Sequence, residues 1–161
     1  MTAHDELTHL ERMLLSDEIR ELMARYVRYA DEKRWDDLAR LFTQDGVFTP
    51  LDATGNPVAR MAGRKQIARV IGSTVGDATV IHHLFSYEIA FQSAVSATGI
   101  FAMEDYIVRP ESAEPPSHRE GAVAAFQTMH GFGHYRPAFM KANGEWRIAN
   151  MTLTRTKLDF T

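Results

Sequence analysis

The sequence predicts an α+β fold in which helices come first and long strands last. Three observations carry this. Ile19, Leu22, Met23, Tyr26 and Ala30 recur at helical spacing across residues 17–30. From residue 79 onward the chain is rich in β-branched and aromatic residues, in runs of strand length. Asn143-Gly144 falls between two of those runs and is a strong signal for a two-residue hairpin. Helices segregated from antiparallel strands pack on one face of the sheet. A strongly curved sheet under such helices encloses a cone, whose open end is a natural ligand cavity.

Taken in order, residues 1–15 are polar with scattered leucines and read as a loosely attached extension, and 16–161 as a single domain. Ser16 is a good N-cap for the first helix, with Asp17 and Glu18 in a first turn where negative charge suits the helix dipole. A short second helix is expected from Trp35 to Phe42, buried by Leu38, Leu41 and Phe42. "TQDGVF" then breaks it and opens an extended segment at Val47. The turn-rich "DATGNP" at 52–57 links two short strands, and a third helix fits Arg64–Ser73 through Ile67, Val70 and Ile71. Strands are expected at 79–91, 97–108, 121–141 and 145–157, with a polar, proline-rich loop at 109–121. Gly131 and Gly133 mark a bulge or sharp bend.

The 161 residues suffice for one domain with a real core. A net charge of −3, with no basic run, argues against a nucleic-acid partner. No stretch is apolar enough to span a membrane, and residues 1–13 are too charged for the apolar core of a signal peptide. A cytoplasmic protein is expected. There is no cysteine, which excludes disulfides and thiolate metal sites.

Four groups could carry chemistry. Asp31 lies just past the apolar stripe of the first helix, a poor place for a carboxylate unless it has a partner. His82 and His83 are adjacent in a strand, so only one can enter a given pocket, and they make a weak metal site. Either could act as a base with a carboxylate fixing its tautomer. His130 and His134 are four residues apart, roughly 13 Å along a regular strand. His130 is expected to line the cavity and His134 to sit nearer a rim. Glu104 and Asp105 place acid in the middle of an apolar strand, and alternation turns only one of them inward. Tyr26, Tyr29 and Tyr106 could donate to a ligand oxygen, and Phe85 and Phe132 lie beside the histidines as candidate pocket residues.

"IRELMARYVRYADEKRWDDLARLFTQDGVF" resembles the opening of the nuclear transport factor 2-like superfamily, in its SnoaL-like branch. "HHLFSYEI" and "GHYRPAFMKANGEWRIANMTLTR" are similar to that branch's central strand and closing hairpin. The closest-looking motifs are those of scytalone dehydratase, bile-acid 7α-dehydratase and hexachlorocyclohexane dehydrochlorinase. The resemblance implies an aspartate at the end of the first helix, here Asp31, paired with a strand histidine. That histidine is His82, or His83 if the register slips by one. It implies a pocket tyrosine at Tyr26 or Tyr29, and an acidic residue at Glu104 or Asp105. The dehydrochlorinase's pocket lysine has no counterpart, because its position falls near Tyr26, and this puts halide elimination in doubt.

The function so implied is a dehydratase-type lyase acting on a small, mostly apolar cyclic substrate, steroid- or polyketide-like, without metal or other cofactor. His82 is the base, Asp31 its orienter, and a tyrosine or His130 the group that binds the substrate oxygen or protonates the departing hydroxide. Tyr29, His83, Glu104, Asp105, Phe85 and Phe132 are the expected substrate contacts. Two alternatives stand beside it: a ketosteroid-isomerase-like proton transfer with Asp31 or Asp105 as base, and a non-catalytic ligand-binding or assembly module like a dioxygenase β subunit. A homodimer or homotrimer is expected by the same analogy.

Overall fold

The computed structural model describes residues 7–111 and 126–161. Among these described residues, three helices, α1 (His9–Asp31), α2 (Trp35–Arg40) and α3 (Arg64–Val75), are joined to six strands. These are β1 (Phe42–Pro50), β2 (Met61–Ala62), β3 (Thr79–Ser93), β4 (Ser96–Val108), β5 (Thr128–Ala142) and β6 (Glu145–Phe160). The strands form one mixed sheet in the order β2-β1-β6-β5-β4-β3, so β2 and β3 are its edges and it does not close. Among the described strands only the β1–β6 pair is parallel.

The first helix begins earlier than its expected cap at Ser16. Thr8 forms a capping box with Glu11: the Thr8 hydroxyl accepts from the Glu11 N–H at 3.2 Å, and the Glu11 carboxylate accepts from the Thr8 N–H at 2.8 Å. Two orphan donors are satisfied at once, so the helix starts there and Ser16 lies inside it. Leu10, Met13 and Leu14 in these added turns are exposed. The expected extension at 1–15 is therefore partly helical, and its first six residues lie outside the described ones. Further on, Ile19, Leu22, Met23, Tyr26 and Ala30 are buried against the sheet, in a core with Phe101, Met103, Phe139 and Ile148. Each large apolar side chain buried there stabilises the fold by about 1.5–3 kcal/mol.

The other boundaries shift by a few residues. α2 ends at Arg40, and Phe42 is the first residue of β1, where its carbonyl accepts from Nε and Nη2 of Arg64 at 2.9 and 2.7 Å. That contact ties the start of α3 to the sheet. β5 begins at Thr128 instead of 121, and the loop expected at 109–121 lies outside the described residues beyond 111. Asn143 (φ 54°) and Gly144 (φ 79°) both adopt the left-handed backbone that a tight primed turn requires, closing the β5–β6 hairpin. Register slips between Leu84 and Tyr87 on β3 and between Phe132 and Gly133 on β5. Such bulges bend and twist strands, which curls a sheet around the helices on its inner face. Among the described residues, no helix is long and apolar enough to cross a membrane.

Candidate active site

Between the helices and the inner face of the sheet lies a cavity of about 710 Å³. Its wall is mainly apolar, with Leu38, Phe48, Met61, Val70, Ile71 and Leu153 prominent. The polar exceptions include Tyr26, Trp35, His82, Asp105, Tyr135 and Arg155. A few polar groups in an apolar hollow of this size is the usual build of a small-molecule site.

Asp31 is the last residue of α1. The negative end of the helix dipole disfavours a carboxylate there. His82 offsets that cost twice: its Nδ1 lies 2.7 Å from Oδ1 of Asp31, and its backbone N–H donates to Oδ2 at 3.3 Å. An ionised carboxylate only accepts, so the ring nitrogen facing it, Nδ1, is the donor of this bond, and in a neutral ring Nε2 is then the acceptor. The His82 side chain is 10% exposed and that of Asp31 34%, so the ring is enclosed while its partner is only partly sheltered.

Beside this pair, Tyr26 and Tyr135 meet edge to face with ring centroids 5.4 Å apart. Burial, followed by the nearby Asp105 charge, raises the pKa of the Tyr26 phenol. Burial, followed by the nearby Tyr26 and then Asp105, raises that of Tyr135 well above the ordinary value. Both therefore stay protonated, and so able to donate, throughout the neutral range. Arg155 holds Asp105 with two parallel bonds, Nη1 to Oδ1 at 2.6 Å and Nη2 to Oδ2 at 2.7 Å. Both side chains are nearly inaccessible to solvent. Burial disfavours the Arg155 charge, but the hydrogen bonds and charge of Asp105 more than offset it and raise the guanidinium's pKa.

Strand alternation divides the expected residues between two faces. His82 and Asp105 point into the cavity. Their neighbours His83 and Glu104 point to the outer face, with Phe85, His130 and Phe132. There the Glu104 carboxylate lies 2.6 Å from His130 Nε2 and 3.2 Å from His83 Nδ1, and the His130 ring packs 4.6 Å from that of Phe132. The structure thus does not bring His130, His83, Glu104, Phe85 and Phe132, expected at the substrate, to the wall of this cavity. The inward position on β5 belongs to Gly131, which pairs with Asp105, so His130 must face away. Tyr29 likewise lies outside the cavity wall, with the Arg28 and Arg34 guanidiniums over its ring at 4.8 and 4.5 Å. Among the described residues no three His, Asp or Glu side chains are placed to hold a metal ion.

Arg155 and Tyr135 were not expected. On β6 the buried series Met151, Leu153 leads by alternation to Arg155 on the inner face. On β5 the series Gly131, Gly133 leads likewise to Tyr135. A long cation continuing an apolar inward row is the signal that marks Arg155.

A half-open mixed sheet under three helices, with an apolar cavity and a His–Asp pair on its wall, is the architecture of an NTF2-like α+β domain. The model of the SnoaL-like domain family matches residues 11–152, and the chain belongs to that family. No curated protein matches it. Among solved structures it is similar to a scytalone dehydratase-like protein from Novosphingobium aromaticivorans, at 18% identity and TM-score 0.74, covering 96% of this chain and 92% of that one. It is also similar to a type 2 hexachlorocyclohexane dehydrochlorinase, at 14% identity and TM-score 0.74, covering 96% and 93%. The type 3 enzyme of that name from Novosphingobium barchaimii gives 16% identity and TM-score 0.71 over 96% and 94%. At these identities the likeness is one of fold.

Proposed function

We propose that the protein is a cofactor-independent lyase that removes water from a small, mostly apolar cyclic substrate. The observation that carries this reading is the 2.7 Å bond between Asp31 and His82 Nδ1, which leaves Nε2 of a cavity-lining ring free to take a proton. In the proposed step Nε2 abstracts a proton from a substrate carbon next to an activating group. The electron pair left behind forms the new double bond as the C–O bond to the leaving hydroxyl breaks. The imidazolium returns its proton to that hydroxyl, so water departs and the base is regenerated. Tyr26 and Tyr135 donate to the substrate oxygen on which charge develops. General acid–base help of this kind is worth about 10²–10⁴-fold, and positioning in a water-poor cavity must supply the rest.

The cavity volume of about 710 Å³ supports a substrate of steroid or polyketide size. The isomerase-like alternative with Asp105 as base is disfavoured, because both Asp105 oxygens are engaged by Arg155. A homo-oligomer covering the outer sheet face, where Phe85 and Ile81 are exposed, belongs to the same proposal, and light scattering would show it as a particle larger than one chain.

The test is a thermal-shift screen of hydroxylated steroids and polyketide-like phenols, followed by mass spectrometry of every compound that stabilises the protein. The reading expects at least one binder to lose water at a rate above the uncatalysed one. Binding without any turnover across the set would favour the ligand-binding module instead.

A further inference from the structure

Two carboxylates flank His82, and only one of them holds it. Asp31 reaches the ring from the end of α1. Asp105 is the direct cross-strand partner of His82, and both side chains face the cavity. Cβ atoms of directly opposed residues lie about 4.5–5.5 Å apart, close enough for the two side chains to meet. Asp105 nevertheless gives both oxygens to Arg155. We propose that Arg155 is a positioning residue: by clamping Asp105 it reserves the His82 ring for Asp31 and keeps Nε2 unengaged. The inference rests on the reading of His82 as the base.

The fold makes room for this clamp. Gly131 is the cross-strand partner of Asp105 on the other side, and a Cβ there would overlap both Arg155 Nη1 and Asp105 Oδ1. Only glycine lets the guanidinium and carboxylate meet at that point. Among the described residues, the titratable groups that share the cavity with His82 are Tyr26 on α1, Asp105 on β4, Tyr135 on β5, Arg155 on β6 and Asp52 after β1, with Asp31 of α1 bonded to its ring. Among these Arg155 is the permanent cation. Without it, Asp105 becomes a buried anion beside an imidazole. A proton on Nε2 and a hydrogen bond from it are then the nearest available compensation. The base would be converted to an imidazolium held between two carboxylates.

The experiment is an NMR titration of the His82 ring nitrogens, with the signal identified among the seven histidines by its loss in His82→Ala. In Arg155→Met the titration midpoint should rise by about one pH unit or more, since the freed Asp105 charge favours the protonated ring. In Asp105→Asn the now uncompensated Arg155 should move it the opposite way, so the inference stays testable if Arg155→Met does not fold. The double variant should return the midpoint towards that of the unaltered protein. Unchanged midpoints, or shifts of the same sign in the two single variants, would overturn the clamp. The two readings fail separately: unchanged midpoints with turnover lost in His82→Ala remove the clamp and leave the base, whereas opposite shifts with turnover intact in His82→Ala do the reverse.

Discussion

Asp31 holds His82 by both the ring and the backbone, with Nδ1 at 2.7 Å from Oδ1 and the backbone N–H at 3.3 Å from Oδ2. The contact joins the last residue of α1 to β3, so the geometry of the proposed base depends on where a helix stops. Replacing the carboxylate by an amide should keep the helix and the cavity but remove the negative charge and let an NH2 group face Nδ1, which favours the wrong tautomer. Asp31→Asn should therefore lower kcat by about 10²–10⁴-fold on any compound the protein turns over, with its circular dichroism spectrum unchanged.

The outer face makes the opposite prediction. Glu104 lies between His130 and His83 on the far side of the sheet from the cavity. Its hydrogen bond from His130, assisted by that from His83, holds its carboxyl below the ordinary value of 4.5. A depressed carboxylate pKa contributes stability above the unfolded value, which is lost as pH falls through the folded one. Glu104→Gln should thus lower Tm at pH 6, lose that difference as pH falls below the ordinary carboxylate range, and leave turnover unaltered. A melting series across this range checks the sign.

Gly131 and Gly133 should tolerate a methyl group unequally. At Gly131 the obstructing atoms are the ends of the Arg155 and Asp105 side chains, whereas at Gly133 they are the backbone carbonyl of Thr154 and its neighbours. Side chains can shift and a paired strand cannot. Urea unfolding should show Gly131→Ala destabilised by about 1–3 kcal/mol and Gly133→Ala by more.

Filling the cavity should separate binding from chemistry. Val70 lines the hollow on α3, an element that carries neither Asp31 nor His82. Val70→Trp should abolish the stabilisation that an apolar cyclic ligand confers, which for the unaltered protein should reach about 2.7 kcal/mol at one hundred times Kd. A thermal melt with and without ligand reads this directly.

The sequence made the fold and part of the candidate cavity wall legible, and the division has physical causes. Helical spacing through Ile19, Leu22, Met23, Tyr26 and Ala30 placed α1, and Asn143-Gly144 placed the last hairpin. Asp31 and His82 were reachable because a helix end and a strand start are local features to which a family motif can be matched. His130 was misplaced because its face depends on β5 pairing Gly131 with Asp105, a register that no local pattern contains. Glu104 and Asp105 could have been told apart, since Phe101, Met103 and Asp105 form one buried alternating row. Arg155 was hidden by a register slip between β5 and β6, where Ala138 opposes Asn150 but Phe139 opposes Ile148. That slip reverses the parity of the strand, so counting inward positions from Trp146 and Ile148 would turn Arg155 outward.

The most direct measurement is the turnover of His82→Ala on a compound that the unaltered protein dehydrates. If His82 is the base, kcat should fall to near the uncatalysed rate while the melting curve and the binding of that compound are retained. Dehydration at the original rate by a folded His82→Ala protein would contradict it.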